Sequence, residues 1–341
     1  MARSWQPSPP PLECRIEHLA KRAPLLLASG AGSLGWWRVR RSELRTTTAA
    51  LDLQDAYRLH ALQAILHERE IAEALTLLRS AGVEPILVKG WAAARLYPEP
   101  GLRPYWDIDL CCRPDRYSAA AAALKRVENP TYLVDLHRGF ARLDELSWDE
   151  LYARSQVVTL GEVGVRVLPP EDHLRLLCVH LLRHGAWRPL WLCDIAAAVE
   201  TRPADFNWDR CLTSNRRVAD WVACAIGLAH RLLKIEVDDT PVAARAKCLP
   251  RWLGRRVLKH WSAPFPDLHP PRSYGGPLIN YIRGRTRLLY ALRKRWPDPI
   301  EATITVRGPL NRWPRLPFQI GHYAVKAGEF FAKLRRPLQT P

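Results

Sequence analysis

Two aspartates separated by one residue, Asp107 and Asp109, have the types and spacing best suited to chemistry in this sequence. They open the apolar run 107–112, which indicates a strand, and alternate residues of a strand point to the same side of a sheet. Carboxylates held that close repel each other unless a cation lies between them, and hard oxygen ligands select Mg²⁺ or Mn²⁺ over zinc. The spacing alone is a weak signal, because acidic pairs also occur as solvated strand ends.

The segments around this pair strengthen the signal. Residues 85–88 suit a short buried strand, and helical spacing resumes directly after Lys89 and Gly90. A helix N-terminus preceded by glycine offers backbone N–H groups to a phosphate, and Lys89 and Arg103 add positive charge. Opposite carboxylates that bind a metal, these groups would form a clamp for a nucleoside triphosphate.

A third carboxylate, Asp135, lies on the next predicted strand, residues 132–136. His137 would share its side of that strand and could shuttle a proton or orient a neighbour by a hydrogen bond, and the orienting role is favoured. His173, His180 and His184 have helical spacing. A zinc site is not favoured, because the pattern lacks the glutamate of a zinc protease motif, and packing on the core is favoured over contact with the nucleotide.

The elements that must position these residues follow from periodicity. Apolar residues every three or four positions predict a helix over 51–80, an alanine-rich run predicts one over 117–125, and 157–167 suggests a hairpin that turns at Gly161. Beyond residue 170 the pattern becomes helical, with candidate helices over 171–184, 189–199, 208–234, 241–260, 276–294 and 318–334. We predict four regions: a poorly ordered N-terminal segment over 1–45, a core over 46–168, a helical domain over 169–296, and a basic, proline-rich tail with a terminal helix over 297–341.

The residues around the aspartates resemble those of a known protein family. Residues 86–98, with 101–104 and 107–110, resemble the uncharacterised bacterial nucleotidyltransferase family of the DNA polymerase beta superfamily, and residues 134–137, 168–174 and 181–185 are similar to its other recurring blocks. Where that superfamily usually has glycine and serine at the turn, this chain has Lys89 and Gly90. Lys89 is therefore expected to replace the serine contact to the phosphate. Trp106, which precedes the first aspartate, is expected to narrow the pocket or stack on the base.

The resemblance implies an α+β fold, in which a polymerase-beta-like core of mixed sheet flanked by helices carries an α-helical C-terminal domain. It implies that Asp107, Asp109 and Asp135 bind Mg²⁺ or Mn²⁺ and act in catalysis, and that Lys89, Gly90 and Arg103 bind the nucleoside triphosphate. The implied reaction moves a nucleoside monophosphate to a hydroxyl or phosphate of an unknown small-molecule, peptide or protein acceptor, with release of pyrophosphate.

The charge of the chain leaves two alternatives open. The formal net charge is +17, and residues 281–341 carry thirteen Lys and Arg against three Asp and Glu. RNA binding through this basic region is one alternative, although nucleic acid is not the favoured partner, and a catalytically silent nucleotide-binding or toxin-antitoxin-like module is the other. No apolar run reaches the roughly eighteen residues that a membrane span needs, so a cytoplasmic location is expected.

Overall fold

A computed structural model describes most of the chain. The described residues are 3–10, 12, 14–125, 133–140, 146–213, 215–262 and 296–334. The helix predicted over 276–294 lies outside them.

The centre of the N-terminal half is a mixed sheet of five strands. Its strands are β1 (Ile86–Val88), β2 (Asp107–Cys112), β3 (Leu133–Arg138), β4 (Gln156–Leu160) and β5 (Val163–Val167). They are arranged in the order β3-β2-β1-β5-β4. β2 runs parallel to β3 and antiparallel to β1, while β5 runs parallel to β1 and forms the predicted hairpin with β4.

Helices pack on this sheet in two separate buried clusters. The first six helices are α1 (Ile16–Ala28), α2 (Gly32–Val39), α3 (Thr48–Ser80), α4 (Gly90–Ala94), α5 (Tyr117–Lys125) and α6 (Trp148–Arg154). Ile71, Leu75 and Leu78 of α3 pack with Ile108 and Leu110 of β2 in one buried cluster, which α5 extends. Because strand residues alternate, this packing sends Asp107 and Asp109 to the opposite face.

The C-terminal half is helical and has its own core. Its helices are α7 (Pro170–Arg183), α8 (Pro189–Glu200), α9 (Trp208–Leu212), α10 (Arg216–Leu233), α11 (Ala243–Lys247), α12 (Arg251–Trp261), α13 (Pro299–Thr305) and α14 (Leu316–Leu334). The predicted α+β class, with a helical C-terminal part, is confirmed. Within the described chain, no helix combines the length and apolar character required to cross a membrane.

Two predicted helices are each divided in the structure. The stretch 208–234 breaks between α9 and α10, where Thr213 has a φ of 62° and the side chain of Asn215 caps α10. The stretch 241–260 breaks between α11 and α12. Pro250 precedes α12 and has no backbone N–H to donate within a helix. The region predicted as a tail is also partly integrated, because Ile300 and Ile304 of α13 belong to the main helical core.

The N-terminal segment differs most from the prediction. Residues 1–45 were expected to be poorly ordered, but the described part contains α1 and α2, so that prediction is wrong there. Trp5 is buried and its indole N–H donates a 2.7 Å hydrogen bond to Glu200 at the end of α8. Leu34 and Trp37 of α2 join the helical core. Apolar burial by these side chains outweighs the local effect of the prolines.

Candidate active site

The pairing of β2 with β3 brings the predicted carboxylates to one face of the sheet. Asp109 lies opposite Asp135 in the parallel register, and Asp107 lies opposite Leu133. Residues 107 and 109 on one strand, and 135 and 137 on the other, therefore point to the same side. The sheet assembles the three aspartates and His137 from two segments that are 26 residues apart in sequence at Asp109 and Asp135.

Within this cluster, Asp109 is the shared acceptor. Lys89 donates from Nζ to Asp109 Oδ1, and His137 Nε2 lies 3.0 Å from the same oxygen. His137 Nε2 also lies 3.4 Å from Asp135 Oδ2. One ligand atom from each of Asp109, Asp135 and His137 falls within 4.8 Å of the other two, a spacing that could hold a metal ion.

The two aspartates of β2 have opposite electrostatic environments. Burial by itself raises the pKa of Asp109, but the hydrogen bond with His137 and the charge of Lys89 outweigh it, so the pKa is lowered overall. Burial raises the pKa of Asp107, and the nearby charge of Asp109 raises it further against the opposing effect of Lys89. Asp107 is thus a partly buried carboxylate whose ionised form is poorly compensated.

The turn before α4 is strained at Lys89 rather than at Gly90. Lys89 has a φ of 55° and a ψ of −128°, a backbone conformation that side chains other than glycine rarely adopt. Gly90 is needed for space, because a Cβ there would lie 3.2 Å from the carbonyl oxygen of Asp107. α4 has only five residues, so the contribution of its dipole is smaller than the sequence suggested. The strained turn aims the Lys89 side chain at Asp109.

Arg103 has a different partner from the predicted phosphate. Its guanidinium is 6% exposed and binds Asp194 of α8 through Nε and Nη2, with a shortest distance of 2.7 Å. The hydroxyl of Tyr97 donates a 2.8 Å hydrogen bond to Asp194 Oδ1, which also accepts from Arg103 Nε at 3.1 Å. Arg103 therefore joins the loop before β2 to the helical half, and its donors are used inside the protein, which corrects the expected phosphate contact.

The sequence left the role of Trp106 open and gave no indication of His60 or Arg188, which lie beside it. Trp106 is 53% exposed, and its ring lies 5.7 Å from that of His60 and 5.9 Å from the guanidinium carbon of Arg188. Arg188 gave no signal, since it simply precedes a proline between two helical patterns in the C-terminal half. Only the fold brings Arg188 next to Trp106, in the loop that leads to Asp107.

The histidines of α7 are built into the helical half. Burial lowers the pKa of His173 to about 4, so this side chain is neutral near neutral pH. The rings of His180 and His184 lie 4.5 Å and 5.3 Å from that of Trp191 on α8. These contacts agree with the packing role that was favoured for them.

Comparison with known proteins adds the family context. A family model described as an uncharacterised nucleotidyltransferase matches residues 36–234, which is more than half of the chain. The match includes the whole sheet, the aspartates and α7 to α10. None of the curated proteins and none of the solved structures matches the chain.

Proposed function

Because the chain belongs to this uncharacterised nucleotidyltransferase family, we propose that it moves a nucleoside monophosphate from a nucleoside triphosphate to a hydroxyl or phosphate group of an acceptor. The observation that carries the proposal is the group of Asp109, Asp135 and His137, whose ligand atoms lie within 4.8 Å of one another, while Asp107 lies outside this group on the same face of the sheet. In the reaction the acceptor oxygen bonds to the α-phosphorus, the bond from that phosphorus to the bridging oxygen breaks, and pyrophosphate leaves.

The donor set fits a divalent cation of the Mg²⁺ or Mn²⁺ class. The carboxylate oxygens of Asp107, Asp109 and Asp135 would hold it. Burial raises the pKa of Asp107, and a cation would compensate the charge of its ionised form. A cation bound there would stabilise the negative charge of the phosphoryl group and lower the pKa of the acceptor hydroxyl. His137, within 3.0 Å of Asp109, would orient that carboxylate.

The remaining steps belong to side chains of this protein. Asp135 has the most open carboxylate of those paired in the cluster, with 47% of its side chain exposed against 4% for Asp109. Asp135 Oδ2 is thus the atom that an incoming acceptor reaches, and it takes the hydroxyl proton in our scheme. Lys89, whose ammonium neutralises Asp109, would turn to the phosphates of the nucleotide when a cation replaces it, with Gly90 leaving room beside Asp107.

The direct test is transfer of label. The purified full chain is incubated with each α-³²P-labelled nucleoside triphosphate, Mg²⁺ or Mn²⁺, and a cell extract, and labelled products are separated and identified. We expect label on one class of acceptor in the presence of the cation and none in the presence of EDTA. Asp109→Asn should abolish transfer, because the central carboxylate of the cluster is lost.

Asp205→Asn is the matched control. Asp205 is an exposed aspartate in the loop after α8, so the substitution makes the same change in charge away from the cluster. It should transfer label like the wild type. Transfer that survives in Asp109→Asn, or that is lost equally in Asp205→Asn, would count against the proposal. RNA affinity that is unaffected by Asp109→Asn, without any transfer, would favour the basic C-terminal region as the functional part instead.

A further inference from the structure

Three cationic side chains lie near the carboxylates, and their pairing differs. Lys89 donates to Asp109, and Arg103 is bound by Asp194. For Arg188, the described part of the chain provides neither a hydrogen bond nor an ion pair, although the side chain is partly buried. A guanidinium has five N–H donors, and in the described residues those of Arg188 are bonded to no protein acceptor, so they are available to a ligand.

Two tryptophan rings flank this guanidinium without using its N–H donors. Its central carbon lies 5.9 Å from the ring centres of both Trp106 and Trp191. These distances are within the range of cation–π contacts, which use none of the N–H donors of the guanidinium. On another side is the turn between α1 and α2, where a Cβ on Gly30 would come within 3.2 Å of Arg188 Nη2.

The local charge favours an anion at this place. Burial lowers the pKa of Arg188 to about 10, and the neighbouring charge of Arg103 acts in the same direction against Asp194 and Asp107. Asp194 is already bonded to Arg103 and Tyr97, which leaves it little capacity for Arg188. Arg188 stays protonated near neutral pH, so its charge is available to an incoming anion.

We propose that Arg188, held between Trp106 and Trp191, forms a subsite that binds a phosphate group of a substrate beside Asp107. The charge of Asp107 acts on Arg188, so the subsite lies close to this carboxylate. The planar fork of the guanidinium matches two phosphate oxygens. This inference rests on the proposed function, and two substrates can supply the phosphate: the nucleoside triphosphate or a phosphorylated acceptor.

Binding measurements test the subsite independently of activity. Isothermal titration compares Mg²⁺-tripolyphosphate binding to the wild type, Arg188→Gln and Arg188→Lys, with Arg183→Gln as the matched control. Arg183 is an exposed arginine in the last turn of α7, so it controls for the loss of one positive charge. If the nucleotide supplies the phosphate, we expect Arg188→Gln to weaken binding by about tenfold or more and Arg188→Lys to recover only part of it.

A second titration identifies the alternative source. The wild type is saturated with Mg²⁺ and an α,β-methylene nucleoside triphosphate and then titrated with inorganic phosphate. Phosphate binding that appears in the wild type and is lost in Arg188→Gln assigns the subsite to a phosphorylated acceptor. If Arg188→Gln matches Arg183→Gln with tripolyphosphate and with phosphate, the subsite is refuted. Failure of the proposed function is separate, because it would appear as a wild type that transfers no label.

Discussion

Asp107 and Asp109 are two residues apart, and we expect them to affect the stability of the metal-free protein in opposite directions. The pKa of Asp109 is lowered, so its contribution is present above the ordinary carboxyl pKa and is lost as the pH falls through the lowered value. The pKa of Asp107 is raised, so its contribution is present below the ordinary pKa and is lost as the pH rises through the raised value. At neutral pH the ionised Asp107 is therefore a cost to the fold.

Substitution by asparagine should reveal this difference. With EDTA at pH 7, we predict that Asp107→Asn raises the free energy of unfolding by about 1 kcal/mol, because it removes a poorly compensated charge. Asp109→Asn should lower it by about 1–3 kcal/mol, because it leaves Lys89 without its anionic partner. Urea denaturation of both variants measures the two values. Destabilisation by both substitutions would show that the ionised form of Asp107 is not poorly compensated in the folded protein.

The backbone at Lys89 permits a second test at the residue scale. Lys89→Gly and Lys89→Ala both remove the ammonium group, but only glycine adopts a φ of 55° with this ψ at little cost. We predict that Lys89→Gly is more stable than Lys89→Ala by about 1–2 kcal/mol in thermal or urea unfolding. Equal stabilities would mean that the turn relaxes in the variants and is not held in a strained conformation.

At the scale of elements, the loop before β2 depends on a close approach to α3. Gly101 has a φ of 82°, and a Cβ there would lie 2.5 Å from the backbone nitrogen of Ala61. Gly82, at the end of α3, has a φ of 71° but open space around it. We predict that Gly82→Ala costs about 1 kcal/mol from the backbone alone, and that Gly101→Ala costs about 1–3 kcal/mol more.

The comparison of these two glycines is its own control. Both variants carry the same backbone penalty, so the difference between their free energies of unfolding reports the contact with α3. Gly101→Ala should also weaken Mn²⁺ binding, because it displaces the loop that leads to Asp107. Identical stabilities of the two variants would exclude the close packing of this loop as a determinant of the site.

Local patterns were sufficient for the elements that carry the aspartates. The bounds of β2 and α5 agree with the predicted runs 107–112 and 117–125, because each has a simple apolar pattern between turn residues. The hairpin of β4 and β5 also follows its predicted turn at Gly161. The α+β class and the family were likewise available from the sequence, since the motif block lies in these regular elements.

Long-range packing determined what the sequence did not reveal. The bond between Arg103 and Asp194 joins residues 91 positions apart, and no local pattern distinguishes such an arginine from one that binds phosphate. Trp5 of the N-terminal segment bonds to Glu200, 195 positions away, and a composition rich in proline does not indicate such a contact. Arg188 has significance only beside Trp106, whose position depends on the same loop.

At the scale of the whole molecule, a buried ion pair between Arg103 and Asp194 connects the loop before β2 to the helical half. Asp194 is fully buried and accepts from both Arg103 and Tyr97. We predict that Asp194→Asn lowers the free energy of unfolding by about 3–5 kcal/mol, because it leaves the buried guanidinium of Arg103 without a countercharge. Chemical denaturation checks the value, with Asp205→Asn as the exposed control.

A double substitution separates pairing from burial at this connection. Arg103→Met combined with Asp194→Leu removes both charges, so we expect it to be less destabilising than Asp194→Asn alone. If the double variant loses as much free energy of unfolding as Asp194→Asn, or more, the two charges stabilise this connection by more than they cost to bury.

The central claim is that the aspartates from β2 and β3 bind a divalent cation together. Electron paramagnetic resonance of Mn²⁺ titrated into the full chain measures this most directly, since bound and free Mn²⁺ give separable signals. The account predicts saturable binding in the wild type and in Asp205→Asn, and loss of that binding in Asp109→Asn and in Asp135→Asn. Mn²⁺ binding of equal affinity in all four proteins would contradict it.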